Sequence, residues 1–167
     1  MIKNAFLEFS KQTIFNLKKI KIMGNILRHV HSVNRWIVLV LLLVTIITAI
    51  SKWSSNKDYT EGDRKSALFT LIFTHIQFLL GIVLLFVSER NIFMEDWVKD
   101  PIRRFFGMEH MAMMILGVIL ITIGYSRAKR LTESKAKFKT IWIMYGIGLI
   151  VILSRVPWPG MHGTNWY

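Results

Sequence analysis

The chain contains no cysteine. That excludes disulfides, thiolate metal sites, iron–sulfur clusters and covalently attached c-type haem. Acid is scarce as well: ten Asp and Glu stand against 22 Lys and Arg, a formal net charge of +12 over 167 residues. There is no nucleotide-binding loop, no nucleophile–base pair and no zinc-helix signature. No small-residue cleavage site follows an apolar core near the N-terminus, so no secretory signal is read there. The chain instead has apolar side chains gathered in blocks, with a mean hydropathy of +0.41.

A bilayer core about 30 Å thick takes roughly 20 mostly apolar helical residues to cross. Four segments meet that requirement: His31–Ile50, Ala67–Val87, Phe105–Tyr125 and Thr140–Leu153, the last extending to Pro157. Within a bilayer the backbone satisfies itself only in a helix or a closed barrel. None of the four alternates with period two along its length, which argues against a barrel. The expected fold class is all-α, an integral membrane bundle of four transmembrane helices. On a soluble protein the positive charge would suggest nucleic acid. Here the basic residues sit in short tails and loops beside apolar spans, so anionic headgroups and topology signalling explain them without nucleic acid. The lipid bilayer is the first partner.

Residues 1–22 read as a separate piece ahead of a transmembrane domain at 23–167. Ile2, Phe6, Phe9, Thr13, Leu17 and Ile20 share one helical face, and Lys3, Lys11, Lys18, Lys19 and Lys21 lie around the others. This is the pattern of a basic amphipathic helix lying on a membrane surface. The other reading of this tail is that translation begins at Met23. Let side A be the side carrying both termini and the connection from Val87 to Arg104. Side B then carries the loops Ser51–Ser66 and Ser126–Lys139, which hold ten Lys and Arg. Side A holds twelve with the tail and seven without it, so positive-inside counting reverses between the two starts. The dense stretch "RAKRLTESKAKFK" favours side B as cytoplasmic, and the protein is expected as a multi-pass component of the bacterial inner membrane.

A helix turns 100° per residue, so spacings of three, four and seven mark a common face. His31, Asn34, Arg35, Val38, Leu42, Thr45 and Ala49 share one in the first span. Ser66, Thr70, Thr74, Gln77, Gly81 and Ser88 form a small-and-polar stripe in the second. His110, Met114, Gly117, Ile121 and Gly124 line up in the third. Small and hydroxylated residues let membrane helices approach closely, and plain packing accounts for most of these stripes. Ionisable groups within a span are costlier and usually face an interior, a cavity or a cofactor. His31, Arg35, Glu109, His110 and Arg155 all converge on side A. His110 lies about 8 Å below that side and His75 about 18 Å.

Imidazoles projecting inward from different helices are a usual way for a bundle to hold b-type haem. His31, His75 and His110 are the candidate iron ligands, any two being used. Arg35 and Arg155 would hold the propionates. Glu109 would orient His110 or relay a proton, and Gln77 stands beside the ligand layer. Gly81 and Gly117 would clear room for the macrocycle. Two features count against a simple haem: the ligand depths of His75 and His110 differ by about 10 Å, and His75 projects away from the polar stripe of its own helix.

The stretches "RHVHSVNRWIVLVLLL", "SALFTLIFTHIQFLLGIVLLFVS", "MEHMAMMILGVILITIGYSRAK" and "VPWP" resemble a family of small four-helix membrane proteins from Bacteroidota labelled cytochrome b or cytochrome b-like. The resemblance runs from about Ile26 to Pro159. The family pattern is a His with Arg four residues later, a His-x-Gln and a Glu-His opening the third helix. These fall on His31 and Arg35, His75 and Gln77, and Glu109 and His110. The label implies haem b and electron transfer, here with a link to quinone and to other membrane protein subunits. Two alternatives stand beside it: a membrane oxidoreductase using the His/Glu/Arg layer for proton transfer, and a cofactor-free accessory subunit of a larger membrane complex.

Overall fold

The computed structural model describes residues 2–87 and 96–158. Helix α1 runs unbroken over Ile2–Ser54 and α2 over Glu61–Val87. A short α3, Pro101–Arg104, leads into a π turn at Phe105–His110 and then α4, Met111–Arg130. Helix α5 covers Ser134–Ser154. No strand occurs among the described residues. Four helical stretches are long and apolar enough to cross a membrane, α3 and α4 counting as one, so this is a multi-pass membrane-type helical bundle.

Helix α1 packs on α2 and α5, and α4 packs on α5 and α2. The four long helices thus form a ring in the order α1, α2, α4, α5, each antiparallel to its neighbours. The stripes seen in the sequence are the contact faces. Gly124 lets α5 in so closely that a Cβ there would lie 2.8 Å from Met144 Cβ, and one at Gly117 would lie 2.7 Å from Ile152 Cγ1. On α2 the polar stripe meets α1: Thr45 Oγ1 lies 2.9 Å from both Ser66 Oγ and Thr70 Oγ1. Tyr145, fully buried, reaches across the bundle and donates to the Ala67 carbonyl at 2.9 Å. With little hydrophobic force between helices in lipid, close approach and interhelical hydrogen bonds of this kind hold them together. Ser88, the last member of the stripe, lies outside the described residues.

Helix ends run past the apolar windows because capping, not hydropathy, decides where they stop. Thr60 and Asp63 form a reciprocal capping box at the start of α2: the Thr60 N–H donates to Asp63 Oδ2 at 2.9 Å and the Asp63 N–H to Thr60 Oγ1 at 3.4 Å. Asp100 accepts from the N–H groups of Ile102 and Arg103, with Pro101 at the first helical position, so the third span begins four residues before Phe105. From Ile2 on, the expected tail of 1–22 is the opening of α1, with no break in the helix between it and the first span.

Candidate functional site

The relative register of α1 and α2 sets the depth of the side-A residues. A Cβ on Gly24 would lie 3.0 Å from the Val87 carbonyl oxygen, and one on Gly81 would lie 3.3 Å from His31 Cε1. Helix α2 therefore accompanies α1 up to Gly24. His31 sits at the level of Gly81, about 9 Å down from the end of α2. Hydropathy alone puts His31 at the mouth of its span. In the structure α2 runs beside α1 past His31 as far as Gly24, so His31 lies within the packed length of the α1–α2 pair.

Its surroundings determine its tautomer. Asn34, buried on the same face of α1, donates from Nδ2 to the Phe73 carbonyl at 3.2 Å and to Gln77 Oε1 at 2.9 Å. Gln77 in turn donates from Nε2 to the His31 carbonyl at 3.0 Å and meets His31 Nε2 at 3.1 Å. Turning either amide over would set its oxygen against a backbone carbonyl. The amides are therefore oriented by their carbonyl contacts, and His31 Nε2 is an acceptor. Nδ1 carries the proton, and this N–H is buried with no hydrogen-bond partner. A buried donor without an acceptor costs about 1–3 kcal/mol.

His110 comes from the opposite corner of the ring. The π turn has more residues per turn than an α-helix, which rotates the residues after it, and such turns are frequent at functional sites. The His110 ring lies against Phe105 and Phe106, with centroids 6.1 and 6.0 Å away. Its Nδ1–H donates to the Arg155 carbonyl at 2.7 Å, satisfying an acceptor at the end of α5. Nε2 is left with its lone pair. His110 and His31 are close enough to interact electrostatically, and Arg35 acts on both. Glu109 lies 3.8 Å from Arg104 and 3.6 Å from Arg155, two loose pairs at the rim. The residues expected at side A, His31, Arg35, Glu109, His110 and Arg155, thus come from α1, the π turn and the end of α5, with Gln77 of α2 joined to His31.

His75 is not part of it. Its Nδ1–H donates to the Leu71 carbonyl at 2.8 Å, and its Nε2 faces Thr122 Oγ1 of α4 at 3.5 Å. Thr122 is twelve residues beyond His110 on the same span, about 18 Å along the axis. A bis-histidine haem needs two bare imidazole nitrogens facing each other at one level. His31 presents an N–H instead, and His75 and His110 lie at different levels. The glycines expected to clear room for a macrocycle are filled, Gly81 by His31 and Gly117 by Ile152. As they stand, these residues do not fit a bis-histidine haem. Among the described residues, no three His, Asp or Glu side chains group as a metal centre. Asn34 is a functional candidate that sequence reasoning passes over as packing. It shares the His31 face, and that spacing is the signal that could have found it.

No protein-family model, curated protein or solved structure matches the chain.

Proposed function

We propose that the protein binds the head group of a quinone-class lipid in its side-A layer and takes part there in electron transfer within a bacterial inner membrane. The observation that supports this is the buried His31 Nδ1–H, held as a donor by the Asn34–Gln77 pair and lacking an acceptor. A quinone carbonyl is such an acceptor, carried on a lipid that reaches a membrane bundle from the bilayer. His110 Nε2 offers a complementary acceptor to the hydroxyl of the reduced form. An N–H donor and an imidazole acceptor in one layer suit a ligand whose oxygens accept when oxidised and donate when reduced. Glu109 and Arg155 at the rim link this pair to water on side A.

The test is a titration of detergent-purified protein with a short-chain quinone, read by tryptophan fluorescence. Trp36 is a suitable reporter, because the Arg35 guanidinium carbon lies 5.7 Å from its ring centroid. Saturable quenching is expected, with His31→Phe weakening it about tenfold, the worth of one hydrogen bond near 1.4 kcal/mol. Quenching that never saturates, or that His31→Phe leaves unchanged, sinks the proposal. The second reading is haem b with His110 as its one imidazole ligand in this layer, favoured by the carbonyl contact that orients the ring and leaves Nε2 bare. A Soret band lost in His110→Gln would establish that reading. Protein with neither ligand would be the accessory subunit of a larger membrane complex.

A further inference from the structure

The face of α1 that packs into the bundle does not stop where the bundle stops. Val38, Leu42 and Ala49 are buried on it, with His31 and Leu27 half-buried above them. At 100° per residue, Phe9, Thr13 and Ile20 fall on this same stripe. Beyond Gly24, however, α2 has ended, and residues 2–23 of α1 extend about 33 Å further. There the stripe is uncovered: Phe9 is 72% exposed and Ile20 47%. Phe15 and Ile22, on other faces, are exposed as well.

Charge narrows what can cover this segment. Residues 2–23 contain five lysines and one acid, Glu8. A second copy of the same segment would bring like charge to like charge. An anionic lipid surface offers the opposite charge together with hydrocarbon just beneath it. It is also at the right height, since the segment leaves the bundle where the apolar run of α2 ends. The exit carries Gly24, which the tight contact with Val87 requires and which weakens helix rigidity there. The helix is continuous through Gly24 in the structure, so lying on the bilayer requires a break there that turns the segment off the bundle axis with this stripe down, and Gly24 is the residue of α1 best suited to one.

We infer that residues 2–23 lie along the side-A headgroup layer of an anionic bilayer, with Phe9, Thr13 and Ile20 facing the hydrocarbon and Lys11, Lys18 and Lys19 facing lipid phosphates. This inference is independent of the quinone proposal.

The chain has no cysteine, so Thr13→Cys gives one labelling site in the full-length protein. An environment-sensitive fluorophore at that position is read in vesicles containing phosphatidylglycerol and in vesicles of phosphatidylcholine alone. The expected result is a blue-shifted emission in the anionic vesicles only, reversed by high salt and by the triple change Lys11→Gln, Lys18→Gln, Lys19→Gln. A water-like emission in both compositions overturns the inference. So does an equal shift in both, which would mean that charge plays no part. A shift that appears in detergent and grows with protein concentration would assign the stripe to self-association and also overturn it. Phe9→Asp with Ile20→Asp should abolish the shift while the bundle stays folded.

Discussion

The two ends of the bundle are built differently. At side B, Asp63 takes Lys52 Nζ at 2.7 and 2.9 Å and the Thr60 hydroxyl at 2.7 Å, and closes a capping box as well. The Tyr59 N–H donates to Ser134 Oγ at 3.0 Å, which ties the α1–α2 turn to the start of α5, and the Tyr59 ring packs on Phe138. At side A, the ion pairs of Glu109 stretch to 3.6 and 3.8 Å and the span opens in a π turn. Among the described residues, each half of the bundle also holds an unpartnered buried N–H, His31 Nδ1 toward side A and Trp142 Nε1 toward side B. The difference teaches that stability is concentrated at one end. With side B tied by close pairs, side A can carry long, exposed ones and remain folded.

The largest test of that contrast is Asp63→Ala. Removing one member of a buried pair costs about 3–5 kcal/mol when the partner stays buried. Lys52 reaches water in part, so about 2–3 kcal/mol is expected. Thermal unfolding of detergent-purified protein should show this as a lowered midpoint. An unchanged midpoint would mean that side B is not the clamp. Next comes Gly124→Ala, which sets a Cβ against Met144 Cβ, an atom fixed to its backbone; about 1–2 kcal/mol is expected. Gly117→Ala should cost less, because it meets the Ile152 side chain, which can rotate away. Equal losses at the two sites would show that the neighbour's freedom is irrelevant.

A smaller effect is expected at alkaline pH. Burial, aided by the nearby charge of Asp63, pushes the Tyr59 hydroxyl up to about 12 from its ordinary 10. The unfolded chain loses this proton first as pH rises. The Tyr59 contribution is therefore complete below pH 10 and is lost between about 10 and 12. Tyr59→Phe keeps the ring on Phe138 and should make the stability profile shallower in that window; a profile that still falls as steeply would point to another group. The smallest effect belongs to side A. Glu109→Gln loosens two exposed pairs and should change stability by about 0.5 kcal/mol or less. A loss rivalling that of Asp63→Ala would erase the contrast between the ends.

The spans and their contact faces are legible in the sequence because hydrocarbon runs and three-four spacing are local properties of the chain. The Ser66–Thr70–Thr74–Gln77 stripe reads as mostly packing, and it does pack on α1. Convergence of His31, Arg35, Glu109, His110 and Arg155 is legible too, since each stands near one end of a span. Three things are not. The π turn at Phe105–His110 leaves no mark in an apolar run that suits either helix. The depth of His31 depends on how far α2 accompanies α1, which rests on close approaches at Gly24 and Gly81. The tautomer of His31 depends on two amides and two carbonyls from different turns, so no spacing in the chain announces it.

The short connections at side B also have a consequence for how the molecule is put together. Residues 55–60 join α1 to α2 and residues 131–133 join α4 to α5, whereas residues 88–100 separate the two pairs. Loop-closure entropy makes pairing within each hairpin cheaper than pairing between the two. The site layer draws on both: His31 and Gln77 come from the first hairpin, Glu109, His110 and Arg155 from the second and its leading π turn. It exists only once they have joined. A ligand bound there would stabilise the completed bundle and neither half alone, which would make its binding a check that assembly has finished.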